Sequence, residues 1–157
     1  MQHELDNLRV TNSHRISVVA VPCVGDDDYL QRQMTSLSKA IGESEKSVPE
    51  ILRPKATFAS GKSSKRNGYF VFGEPSSDLL NTFNKMKNEG VFVDLLYGAP
   101  TWTFLLQHLQ DVNRNKMSPL YGAQIMYLHS GGLEGISSQL TRYRHKGLIS
   151  AEEVQAL

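Results

Sequence analysis

Residues 16–21, Ile-Ser-Val-Val-Ala-Val, are almost wholly apolar and rich in β-branched side chains, the pattern of a strand covered on both faces of a parallel sheet. Asp26, Asp27 and Asp28 then supply a cap and first-turn acids. Leu30, Met34, Leu37 and Ile41 follow at helical spacing, and Gly42 ends the run, so an amphipathic helix is predicted directly after the strand. The order recurs downstream. Residues 69–72 read as a short strand; Ser76 or Ser77 caps a helix through Leu79, Leu80, Phe83 and Met86 that Gly90 closes; residues 91–94, Val-Phe-Val-Asp, form the next strand. After a Tyr97-Gly-Ala-Pro100 turn, Trp102, Leu105, Leu106, Leu109 and Val112 make a third amphipathic helix, and residues 125–128, Ile-Met-Tyr-Leu, a third strong strand. Residues 43–67 lack a sustained period and read as a long connection with one short strand near 56–59. Ser150-Ala-Glu-Glu153 has the form of a capping box opening a short terminal helix. Strand and helix alternate, which predicts an α/β fold: a parallel sheet with crossover helices on its faces.

Composition narrows the function classes. Seventeen basic residues against sixteen acidic ones leave a formal charge of +1, so no chain-wide field favours nucleic acid or an anionic membrane. Only the local basic runs 62–66 and 142–146 offer such a contact, and each reads first as a solvated face. Cys23 stands alone, which excludes an internal disulfide and a multi-cysteine metal site. His3, His14, His108, His129 and His145 are too dispersed for a metal-ligand spacing, so no metal is expected. No apolar run approaches the roughly 20 residues of a membrane span. The compartment stays open between mitochondrion and cytoplasm.

In open α/β sheets, ligands sit beyond the carboxyl ends of the strands. Two loops qualify: the one after residues 91–94, with Tyr97 and Gly98, and the one after 125–128, which reads His129-Ser130-Gly131-Gly132. A hydroxyl beside two glycines lets the backbone approach a flat or anionic ligand, although two glycines after a strand more often make an ordinary turn. His129 reads first as a hydrogen-bonded histidine at a strand end, and second as an acid or base. Gly61-Lys62-Ser63 has the ending of a phosphate-binding loop, but the glycine that motif needs at position 56 is Ala, so a solvated loop is the reading there.

The order of these pieces resembles one family. Tyr127-Leu-His-Ser-Gly-Gly-Leu133 is similar to the histidine, threonine or serine, glycine, glycine stretch of the aminocyclopropane-carboxylate deaminases and D-cysteine desulfhydrases, enzymes of the fold type II pyridoxal-phosphate class. Asn88-Glu-Gly-Val-Phe-Val-Asp-Leu-Leu-Tyr-Gly98 resembles their segment leading through a strand to an aspartate and then a tyrosine. His14-Arg-Ile-Ser-Val-Val-Ala-Val21 is similar to the strand after their phosphate-loop helix, and Phe72-Gly-Glu-Pro75 to their tyrosine-glycine-x-proline turn. The likeness runs from about His14 to Gly135 and covers only the later half of a family member. It implies a partial large domain over residues 14–135, with 1–13 as a helix remnant or extension and 136–157 as a helical tail.

What the resemblance implies about chemistry is mostly loss. The Schiff-base lysine and the glycine-rich phosphate loop belong to the part of the family this chain does not match. The acid that holds the pyridine nitrogen in the deaminases corresponds to Gly98, a family lysine to Pro100, and the tyrosine of the glycine-proline turn to Phe72. Tyr97 is retained as the candidate catalytic residue, and Ser130, Gly131 and Gly132 as the candidate cofactor contacts, vestigial or dependent on a partner. The expectation is a non-catalytic structural or accessory subunit of a larger assembly, binding no cofactor by itself and needing an obligate protein partner in place of the missing half. The alternative is the C-terminal half of a split deaminase or desulfhydrase that binds pyridoxal phosphate once a partner supplies the lysine and the phosphate loop.

Overall fold

The computed structural model describes residues 16–43, 48–55, 68–110 and 120–152. The strand near 56–59, the basic run 62–66, Lys62 with its glycine, His3, His14, Val112 and Glu153 fall outside these residues. Within them the architecture is mixed α/β: a two-stranded parallel sheet and four α-helices. Strand β1 (Val19–Ala20) pairs with β2 (Glu50–Ile51), Val19 opposite Glu50 and Ala20 opposite Ile51, and Leu52 N–H donates to the Ala20 carbonyl at 2.8 Å. Helix α1 (Asp27–Ala40) lies between them in sequence, so one crossover unit of the expected kind is present.

Helices start and stop where side-chain chemistry directs. Asp26 caps α1, its carboxylate accepting from Tyr29 N–H at 2.9 Å. At the other end Gly42 takes the left-handed conformation, and Glu43 N–H reaches the Ser38 carbonyl. Helix α2 (Ser77–Asn88) ends the same way, with Gly90 N–H on the Lys87 carbonyl and Val91 N–H on that of Met86. Helix α3 (Gly98–Gln110) begins four residues before the expected Trp102, so the supposed turn at Gly98, Ala99 and Pro100 is its first turn. Proline is tolerated there because the first N–H groups of a helix have no acceptor within it. A short 3₁₀ turn (Leu133–Gly135) leads into helix α4 (Ile136–His145).

The core gathers around α2 and α3. Leu79, Leu80, Phe83 and Met86 of α2 meet Ala99, Phe104 and Leu105 of α3, with Leu52, Tyr69, Phe70, Val93, Leu95 and Leu120 closing the sides and Leu140 and Tyr143 of α4 completing the cluster. Phe70 stacks on Phe104 at 5.6 Å, and Tyr69 meets the same ring edge-on at 6.3 Å. Thr82 and Thr103 join α2 to α3 through hydroxyls 2.8 Å apart, with Thr103 Oγ1 also 2.7 Å from the Ala99 carbonyl oxygen. Every hydroxyl in that buried relay therefore has a partner, as burial demands.

The sheet is smaller than the apolar pattern implies. Residues 69–72, 91–94 and 125–128 form no strand among the described residues, and β2 lies within the connection expected to be irregular there. Tyr69, Phe70 and Val93 are nonetheless buried. Apolar, β-branched sequence reports a tendency to leave water, whereas pairing also needs a laterally adjacent chain. Within residues 125–128 only Tyr127 packs on the core, while Met126 is 87% exposed and Leu128 76%.

Candidate functional site

Asp94 organises the place where the candidate loops meet. Its side chain is buried in the connection between α2 and α3. Oδ1 accepts N–H donors from Leu96 and Tyr97, both at 2.7 Å, and Oδ2 accepts from Gly98 at 2.9 Å. Three N–H groups that the helix itself cannot satisfy thus converge on one carboxylate, which starts α3 at Gly98. The backbone closes the turn, with Ala99 N–H on the Asp94 carbonyl at 2.7 Å and Thr101 N–H on that of Tyr97 at 3.0 Å.

The glycines around Asp94 are there because nothing larger fits. A Cβ at Gly98 would lie 2.7 Å from Val93 Cβ, 3.1 Å from Asp94 Oδ2 and 3.3 Å from the Tyr127 hydroxyl. One at Gly132 would lie 3.0 Å from Asp94 Cγ. The 91–98 and 127–132 segments are therefore packed backbone to side chain, and the position that the family resemblance gives to a cofactor-holding acid is sterically closed.

Tyr97 meets Asp94 through its backbone, while its ring is nearly half exposed and packs on Phe72 at 5.6 Å. Ser130 is exposed. Gly132 packs on Asp94, and Gly131 donates its N–H to His129 Nδ1 at 3.2 Å. Pro100 lies within helix α3. A pyridoxal ring needs a framed hydroxyl or a carboxylate at its nitrogen. An exposed Ser130 and a closed position 98 do not provide one, so the described residues do not fit that cofactor.

Other side chains carry more of the local chemistry. Cys23, from the connection between β1 and α1, places Sγ 3.5 Å from both the Tyr97 carbonyl and Thr101 Oγ1. Burial pushes its thiol above the ordinary value of 9.0; the Thr101 contact opposes this and the Asp94 charge adds to it. Burial likewise raises the Tyr127 phenol, with smaller upward contributions from Asp94 and Cys23. Tyr127 sits between Trp102 and His129, its ring 5.4 Å from the first and 5.8 Å from the second. His129 Nε2 lies 3.9 Å from Asp94 Oδ2, and among the described residues neither that nitrogen nor Trp102 Nε1 has a hydrogen-bond partner although both atoms are buried. Asp94 lies within the 88–98 segment, and its capping role has its own sequence signal, an acidic residue just ahead of an apolar helical run.

A second polar cluster is architectural. Asp27 accepts from the Tyr69 hydroxyl and from Arg53 Nε, tying the start of α1 to two distant segments. Burial and the Asp27 hydrogen bond both raise the Tyr69 phenol. His108 Nε2 lies 2.7 Å from the Arg53 carbonyl oxygen, so that nitrogen carries the proton and serves packing. In the basic run of α4, Lys146 Nζ pairs with Glu74 at 3.3 Å, and Arg142 lies over Gly73. Part of that run is therefore spent within the chain on the Phe72–Pro75 turn. Among the described residues, no three His, Cys, Asp or Glu side chains gather so as to hold a metal ion, and no helix is long and apolar enough to cross a membrane.

No family model, curated protein or solved structure matches the chain.

Proposed function

We propose that this chain is a non-catalytic structural or accessory subunit of a larger protein assembly, built on a scaffold derived from the large domain of a fold type II pyridoxal-phosphate deaminase or desulfhydrase. The observation that carries the reading is position 98. An acid there would have to displace Val93, Asp94 or Tyr127, and Asp94, the carboxylate that is present, is committed to starting α3. The partner half of the proposal rests on surface chemistry. Met126, Leu128, Phe92, Leu37 and Ile41 are all exposed, and exposed apolar side chains favour association where they adjoin one another.

The rival, a split deaminase or desulfhydrase with Tyr97 near the substrate and Ser130 near the ring nitrogen, draws support from the convergence of the Tyr97 backbone and Gly132 on Asp94. Function resides in the site rather than in the scaffold, and the closed position 98 favours the subunit reading. Affinity purification of the tagged chain from its native cells, followed by acid release and fluorescence assay of the eluate, tests it. The expected result is co-purifying polypeptides and no pyridoxal phosphate. Stoichiometric pyridoxal phosphate with turnover of a D-amino acid overturns the non-catalytic reading, and a native chain that elutes alone as a monomer overturns the partner.

A further inference from the structure

His129 is held between a backbone donor and a carboxylate in a way that ties its protonation to the shape of its loop. Gly131 N–H donates to Nδ1 at 3.2 Å, so Nδ1 carries no proton and the neutral ring holds its proton on Nε2. Nε2 is buried, has no hydrogen-bond partner among the described residues and lies 3.9 Å from Asp94 Oδ2, within ion-pair range and beyond hydrogen-bond range. A carboxylate oxygen has two lone-pair sites; Oδ1 fills both with Leu96 and Tyr97 N–H, whereas among the described residues Oδ2 receives only Gly98 N–H.

We propose that protonation of His129 is a switch for the 129–132 loop: the imidazolium gives up the Gly131 N–H and closes onto Asp94 Oδ2. The exchange follows from donor arithmetic. A protonated ring has N–H on both nitrogens, so Nδ1 turns from acceptor to donor and faces the Gly131 N–H, donor against donor. The same proton gives the ring a positive charge beside a carboxylate that is 2% exposed and has no other cation within ion-pair distance among the described residues. Attraction between such charges is strong away from water.

The groups around His129 leave that exchange uncontested. Asp94 faces it from the connection ahead of α3. Tyr127, on its own segment, presents a ring at 5.8 Å and is held in the neutral form by burial, as is Cys23 of the β1–α1 connection, which reaches Tyr127. Glu134 in the following 3₁₀ turn is exposed and makes no ion pair with the ring. Gly132 packs directly on Asp94, so a ring moving onto that carboxylate displaces the loop and the neighbouring exposed side chains of Leu128 and Leu133. This inference does not depend on the subunit reading.

Nuclear magnetic resonance on the full chain provides the test, following the His129 ring and the Gly131 amide together through a pH titration. The expected result is one transition with a common midpoint, the Gly131 amide losing its hydrogen-bonded shift and its exchange protection as the ring gains its proton. In His129→Gln, an uncharged side chain whose oxygen can accept the same N–H, the Gly131 transition disappears. A His129 titration that leaves the Gly131 amide unmoved overturns the proposal, and so does a Gly131 transition that persists in His129→Gln.

Discussion

Gly98 and Asp94 form a single steric and electrostatic unit. Adding one methyl group at Gly98 brings a Cβ to 2.7 Å from Val93 Cβ, inside the packed start of α3. Overpacking of a well-filled core costs about 1–3 kcal/mol, so Gly98→Ala is expected to lower the melting temperature by several degrees, as read by circular dichroism. Asp94→Ala removes one acceptor from three N–H donors. Caps and charge-assisted bonds are each worth about 1–3 kcal/mol, so this variant is expected to lose more stability than Gly98→Ala and to fray the first turn of α3, seen as lost exchange protection at Leu96, Tyr97 and Gly98. If Asp94→Ala were neutral, the carboxylate would not be the element that starts the helix.

Among the elements, α1 is the one held most lightly. None of its side chains is fully buried, and Leu37 and Ile41 point their apolar surface at solvent. Its attachment runs through Asp27, which accepts from Tyr69 and Arg53. Arg53 is exposed and such a pair is screened by water, which leaves the Tyr69 hydroxyl as the stronger link. Tyr69→Phe is expected to cost about 1 kcal/mol and, more tellingly, to raise amide exchange in α1 ahead of α2 and α3. The end of α2 offers a cleaner measurement. Gly90 has a φ of +75° and nothing within 4 Å of a built Cβ, so Gly90→Ala isolates the conformational penalty of a left-handed residue, about 1 kcal/mol. A much larger loss by denaturant titration would mean that the turn there does more than close a helix.

For the whole molecule, protonation and association set the conditions of stability. Burial raises the pKa of Cys23, Tyr127 and Tyr143, and burial with the Asp27 hydrogen bond raises that of Tyr69. A group whose folded-state pKa lies above its unfolded value binds its proton more tightly in the fold. The stability it contributes is complete below the unfolded value, 9.0 for the thiol and 10.0 for the phenols, and is lost as pH rises from there through the folded values. Unfolding midpoints in urea are therefore expected to hold steady up to about pH 9 and to fall steeply above pH 10. Cys23 should resist alkylation at neutral pH, because the thiolate is the nucleophile. A midpoint that is flat to pH 11 would show that these hydroxyls and the thiol reach water in the folded state.

Helices were legible in the chain, and the sheet only at its first strand, where Val19–Ala20 lies within the expected run 16–21. Caps, apolar spacing and terminal glycines are local signals, read within about a dozen residues, and they located α1 at Asp26–Gly42 and α2 at Ser76–Gly90. Only the start of α3 escaped. Pro100 and Gly98 read as a turn, and a buried Asp94 turned them into a first helical turn instead. The candidate site divides the same way. Residue types marked the 97–98 and 129–132 loops, but what those loops do depends on Asp94, Cys23, Trp102 and Tyr127, which come from separate segments and carry no shared motif. Apolar composition by itself determined which side chains leave water at 69–70, 79–86 and 104–105, because burial is a property of a side chain and its spacing. Tertiary structure alone decided that residues 19–20 pair with 50–51 while 91–94 and 125–128 pair with nothing among the described residues, since a ladder hydrogen bond requires a second backbone at one particular distance.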